Sequence, residues 1–246
     1  MTRSILILGA TSPIARATSE EFAQKGYSIY LAGRNEEELK RIAADIQIRH
    51  HVKCRYGYFD AEDLENHESF FHQVVEECEE IEGVVLAFGY MGEQEKATRD
   101  CRELQAVINR NYTGACSILA TCANYLELKK TGFLVAFSSV AGDRGRQSNY
   151  VYGSAKAGLS TYLQGLRNRL HPLGVQVLTV KPGFVDTSMT FGKSGTFLVA
   201  DPKDIARDVV KAIDRKKTVI YTPWFWRWIM ALIKAVPESI FQRLKL

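Results

Sequence analysis

Seven short apolar runs, at 4–8, 28–32, 52–58, 83–88, 133–137, 175–180 and 218–221, alternate along this chain with longer helical patterns. No other feature limits its fold so strongly. Within the runs apolar residues are continuous, not alternating, as in strands covered on both faces of a parallel sheet. The chain is therefore expected to form an α/β domain built on a doubly wound, mostly parallel seven-stranded sheet with right-handed crossovers. Ligands of such sheets sit beyond the carboxyl ends of the strands.

At 246 residues the chain is long enough for one such domain with a well-buried core and short for two. A net charge of +4 is too mild to indicate nucleic acid but suits anionic ligands. The five cysteines form an odd set without a C-x-x-C pair or zinc-like His/Cys spacing, so free thiols in a reducing compartment and no metal are expected. The N-terminus lacks the pattern of a signal peptide, and a cytoplasmic location is expected.

The strand ends carry the chemistry. After the first run comes Gly9-Ala10-Thr11-Ser12-Pro13-Ile14-Ala15. Gly9 permits a tight turn, Ser12 is a natural N-cap and Pro13 suits the first helical position. A helix opening there presents amides to a phosphate, although a plain strand-to-helix turn has the same residues. The second run ends at Gly33-Arg34-Asn35, with Glu38 completing a plausible cap pair. An arginine at this strand end accommodates a 2′-phosphate, so Arg34 points to NADP over NAD unless it is only a solvated surface residue. Asp60, after the third run, is placed to bind the adenine amino group, to cap a helix near Glu62, or both. The fourth run ends Ala87-Phe88-Gly89, where small residues let backbone approach a flat cofactor. Asn111 lies inside a helical pattern, where it is expected to bend the helix and bind a water, or to be a tolerated core amide.

Ser139 ends the fifth run, and Tyr152 and Lys156 follow after a glycine-containing polar connection. If 149–170 is a helix, the last two share a face one turn apart. A phenol exchanges protons poorly at neutral pH until a cation favours the phenolate, and Lys156 is placed to be that cation. Ser139 would hold a carbonyl oxygen while Tyr152 gives or takes the proton. Tyr-x-x-x-Lys also arises by chance, and only its company makes it informative.

Ser139, Tyr152-x-x-x-Lys156, Asn111 upstream and Lys181-Pro182-Gly183 after the sixth run together resemble the short-chain dehydrogenase/reductase family over nearly the whole chain. The resemblance implies a single Rossmann-type NADP-binding domain and a catalytic set of Asn111, Ser139, Tyr152 and Lys156. It also implies that Gly9, Thr11, Ser12, Ile14, Arg34, Asp60, Phe88, Gly89, Tyr152, Lys156, Pro182, Gly183, Val185 and Thr187 bind the cofactor. Two positions depart from the family pattern: Pro13 and Ala15 replace glycines of the phosphate turn, and Phe88 stands in an Asn-Ala-Gly element. The implied activity is NADPH-dependent reduction of a small-molecule or lipid-linked carbonyl, in a homo-oligomer. A catalytically silent NADP-binding regulator or scaffold is the alternative. A sugar-nucleotide epimerase or dehydratase fits less well, because little chain follows Gly183.

Residues 184–200 mix glycine with apolar side chains, as suits a substrate lid. The tail, 223–246, holds all three tryptophans, Trp224, Trp226 and Trp228. It is too short and too charged to span a bilayer, and is expected to pack as a helix on the sheet or another subunit, or to lie in a membrane interface. The tail and the departures are similar to one branch of the family, reductases of a keto-pentose carried by decaprenyl phosphate.

Overall fold

A computed structural model describes residues 3–78, 80–186 and 198–244. All seven expected strands are present: β1 Ser4–Leu8, β2 Ser28–Gly33, β3 Cys54–Tyr58, β4 Ile81–Leu86, β5 Phe133–Phe137, β6 Gln176–Pro182 and β7 Val219–Thr222. They pair in parallel in the order β3-β2-β1-β4-β5-β6-β7. The helices are α1 Pro13–Gln24, α2 Glu36–His50, α3 His67–Cys78, α4 Gln94–Ala97, α5 Cys101–Ile108, α6 Gly114–Lys129, α7 Tyr150–Leu170, α8 Pro202–Asp214, α9 Trp226–Ala235 and α10 Glu238–Phe241.

Strand alternation sends neighbours to opposite faces. Leu6 and Leu8 of β1 join a core with Phe71 of α3, Ile118 of α6 and Leu163 of α7. Ile5 and Ile7 join another with Phe22 of α1, Leu39 of α2 and Val209 of α8. Each such side chain contributes about 1.5–3 kcal/mol by leaving water, which is why the central runs are apolar throughout. The edge strands differ: Tyr56 and Tyr58 of β3 and Val219 of β7 are exposed, so two-sided cover holds only for the inner strands.

β4 lies two residues earlier than the fourth apolar run. Its last pair is Leu8 with Leu86, and Ala87 closes the ladder by donating to Leu8 O at 2.8 Å. Phe88 therefore leaves the sheet instead of ending a strand, and packs against Phe59 with ring centroids 5.8 Å apart. Because β1 sits between β2 and β4, the chain reverses its direction of winding there, and a crevice opens between the ends of β1 and β4.

The lid expected over 184–200 falls largely on 187–197, and Thr187 with it, outside the described residues. Its flanks are tied together, Ala200 N–H donating to Phe184 O and Asp186 N–H to Ala200 O, both at 3.0 Å.

Candidate active site

A cavity of about 490 Å³ runs along the carboxyl ends of the strands, within the usual range for small-molecule sites. Every expected site residue within the described chain lines it except Asn111, which stands behind it.

At one end Gly9 turns off β1 with φ 82°, a left-handed conformation that favours glycine. A Cβ here would lie 2.6 Å from Phe88 N, so glycine is also needed for the approach of β1 to β4. Ser12 caps α1, its Oγ accepting from Ala15 N–H at 3.2 Å, with Pro13 in the first turn as expected. The Ile14 amide on that turn has no acceptor among the described residues. Arg34 stands exposed beyond β2 without an ion pair there. The cap pair of α2 is only half formed: Asn35 Oδ1 accepts from Glu38 N–H at 3.1 Å, but the Glu38 carboxylate turns away to Arg16. Asp60 Oδ1 accepts from Glu62 N–H at 3.0 Å, and the backbone of Asp60 is held by a residue the sequence reading overlooked. Buried His67, neutral because burial lowers its pKa, bonds the Asp60 carbonyl through Nε2 at 3.1 Å and Ser117 Oγ through Nδ1 at 3.0 Å.

The helical pattern containing Asn111 is broken there by a π-turn, Asn109–Thr113, between α5 and α6. The interruption falls at the position where a bend is expected. The Asn111 side chain is fully engaged: Oδ1 accepts from Tyr90 N–H at 3.1 Å, and Nδ2 donates to Val107 O at 2.8 Å and to Tyr90 O. Its observed work is to pin the Gly89-Tyr90 loop, and a water could still donate to the second lone pair of Oδ1.

Ser139, Tyr152 and Lys156 converge. α7 starts at Tyr150, and two serines tie it to β5: Ser138 Oγ donates to Lys156 O at 2.9 Å and meets Ser160 Oγ at 2.7 Å. Ser139 Oγ accepts from Ala141 N–H at 3.1 Å. Lys156 Nζ donates to Phe137 O at 2.9 Å and lies 5.8 Å from the Tyr152 ring centroid. All three side chains are buried. Burial pushes Tyr152 up to about 12, opposed by a hydrogen bond with Ser139. It pushes Lys156 down to about 7. The expected lowering of the tyrosine by Lys156 is not seen in this arrangement, where desolvation disfavours the charged form of both groups.

Behind the reaction end lies the tail, for which the fold selects the packed alternative at one tryptophan. Gly183 faces the Trp226 indole so closely that a Cβ would lie 1.9 Å from its Nε1. Trp226 and Met230 are buried with Val140, while Trp224 (71% exposed), Trp228 (61%) and Leu232 (73%) face solvent. Arg144 secures α9, donating to the carbonyls of Ile233, Lys234 and Val236 at 2.7–3.3 Å and to Glu238 Oε2 at 2.7 Å. Asp143 accepts from Lys181 Nζ at 2.5 Å and Tyr221 OH at 2.7 Å. Read from sequence, Asp143 and Arg144 were only part of a polar connection. Their charges were the available signal.

Among the described residues no cluster of His, Cys, Asp or Glu fits a metal, and no helix is long and apolar enough to cross a membrane.

A family profile described as short chain dehydrogenase matches residues 3–195. An uncharacterized oxidoreductase of Mycobacterium tuberculosis is 35% identical over 240 residues, covering 98% of this chain and 96% of the relative. Among solved structures, the short-chain dehydrogenase from Sphingobium yanoikuyae in complex with NADPH superposes with a TM-score of 0.81 at 23% identity, over 96% of this chain and 97% of that one. An alcohol dehydrogenase from the archaeon Thermococcus sibiricus complexed with 5-hydroxy-NADP gives 0.79 at 23% identity, over 90% and 96%.

Proposed function

Because the chain belongs to the short-chain dehydrogenase family, we propose that it is an NADPH-dependent reductase converting a carbonyl to an alcohol, with Tyr152 as proton donor. The observation that carries this reading is the buried group of Ser139, Tyr152 and Lys156 on one wall of a cavity of dinucleotide size.

The opposite end fits the cofactor. The bare Cα of Gly9, the open Ile14 amide and exposed Arg34 would hold its phosphates, the last selecting the 2′-phosphate. Asp60 would meet the adenine, and Pro182, Gly183 and Val185 would border the nicotinamide. When bound, NADPH supplies the hydride that reduces the carbonyl carbon.

The chain supplies the proton. A phenol raised to about 12 keeps its hydrogen at neutral pH, the form required of a donor to a developing alkoxide. Ser139 Oγ accepts from Ala141 N–H and bonds Tyr152, so its hydrogen would turn from the tyrosine to an arriving carbonyl oxygen to orient and polarise it. Lys156, anchored on Phe137 O, has further donors for the cofactor ribose. Tyr152→Phe is expected to cut NADPH oxidation over a ketone panel by about 10²–10⁴-fold. NADPH binding, followed by energy transfer from tryptophan, should persist. Turnover in that variant close to the wild-type rate would refute the assignment.

On the substrate side the reading extends to a lipid-linked keto-sugar met at a membrane surface. Trp228 and Leu232 give α9 an exposed apolar face, extended by Trp224 in the turn before it and set beside basic Arg227, the composition of an interfacial helix. Flotation with anionic vesicles should fall when Trp228 and Leu232 are both changed to Ser. Unchanged flotation, or loss of a dimer in its place, overturns the membrane contact.

A further inference from the structure

Three arginines line the cavity, and they differ in what neutralises them. Arg34 stands exposed at the cofactor end. Arg110 gives Nε to Glu62 at 2.5 Å and lies 4.7 Å from the Tyr90 ring centroid. Arg146, on the connection between Ser139 and Tyr152, has no carboxylate partner among the described residues. Among the described residues its side chain's one hydrogen-bond contact is Nη2 on the Met230 sulfur at 3.5 Å, a weak acceptor. Its Nε is buried without an acceptor among the described residues, and Oδ1 of Asn149, which also lines the cavity, is buried without a donor there.

Nearby charges are spent elsewhere. Asp143, the nearest acid in sequence, acts on Arg146 only through space, because its oxygens are taken by Lys181 and Tyr221, and Arg144 is answered by Glu238. A cation is therefore left over where the cavity meets the reacting groups. Arg146 is half-buried, and only its Nε is both out of water and unbonded, so a ligand oxygen arriving there would satisfy a donor that the protein leaves unpaired. The planar fork of arginine suits a two-oxygen anion, and a half-turn of the Asn149 amide adds a donor.

We propose that Arg146, assisted by Asn149, makes this enzyme selective for a substrate bearing an anionic group, a carboxylate or a phosphate ester, beside the carbonyl that is reduced. The proposal rests on the reductase reading for its place in the reaction, but not for its test. The tail contributes: Met230 supports the Arg146 head, so α9 shapes specificity from behind.

The test is calorimetric titration of the NADP-saturated protein with phenyl phosphate, benzoate and neutral phenol, in wild type, Arg146→Gln and Arg146→Lys. At least one anion is expected to bind wild type at least about tenfold tighter than phenol. Arg146→Gln should erase that preference while leaving phenol binding and the thermal midpoint unchanged. Arg146→Lys, a charge without the fork, should fall between. The stronger of the two anions identifies the group. Equal binding of all three probes by wild type, or anion binding indifferent to Arg146→Gln, overturns the proposal. NADPH affinity is measured in parallel: failure of wild type to bind it rejects the reductase reading, whereas the anion arm, repeated without cofactor, still reports on Arg146.

Discussion

At the cofactor end of the cavity, the turn after β1 is held by main-chain geometry and one local cap, Ser12 on Ala15. At the reaction end, the turn after β6 is held by side chains that arrive from the tail, Trp226 against Gly183 above all. Both turns follow inner strands, and both have a glycine where a methyl group would not fit. The difference lies in sequence distance. The first turn is specified within a few residues, and the second depends on chain that comes some 40 positions later.

Paired glycine substitutions break the comparison most forcefully. Gly9→Ala sets a side chain in a left-handed conformation and into the Phe88 backbone, which cannot step aside. Gly183→Ala meets an indole that can move only by shifting α9. Both should lower stability by at least about 1–3 kcal/mol in urea denaturation. Gly9→Ala should weaken NADPH binding as well, whereas Gly183→Ala should be accompanied by faster amide exchange in α9.

That asymmetry also explains what could be read from sequence. The strands, the Ser12 and Asn35 caps and the single-turn spacing of Tyr152 and Lys156 are local patterns, and they survive in the fold. The end of β4 was misjudged because pairing with β1, not apolarity, decides where the ladder stops. His67, through Ser117, and Asp143 and Arg144 act across long stretches of chain, and Arg144 reaches the tail from a turn whose pattern says only that it is polar. The tyrosine's environment escaped for a related reason: adjacency to a lysine was visible, but the burial that overrides it belongs to the whole cleft.

Releasing the tail is the next largest effect. Arg144→Ala removes one cation from three carbonyls, Glu238 and the Phe241 ring, and should cost about 2 kcal/mol, concentrated in α9 and α10. Limited proteolysis should then clip the tail first, with NADPH affinity unaltered.

The lysine offers a measurement with a defined sign. With a folded value of about 7 against the ordinary 10.5, folded Lys156 sheds its proton while the unfolded chain retains it. Stability from this group should therefore rise between pH 7 and 10.5. Tyr152, raised from 10.0 to about 12, works in reverse above pH 10.0, where the unfolded chain ionises first. Lys156→Met should flatten the rise measured by denaturant titration at stepped pH. An unchanged slope would place the proton elsewhere.

Ser12→Ala is the smallest change, about 1 kcal/mol from the lost cap. It sharpens the contrast, because its effect should stay within α1 and the affinity for NADPH.

The contact between Trp226 and Gly183 gives the C-terminus a second identity. Cutting the chain at Pro223 would take away the backing of the loop that borders the reaction, so a shortened enzyme would be a different catalyst and not merely one freed from a surface. Trp228 and Leu232, on the outer side of the same helix, allow its exterior to be altered while that backing stays in place.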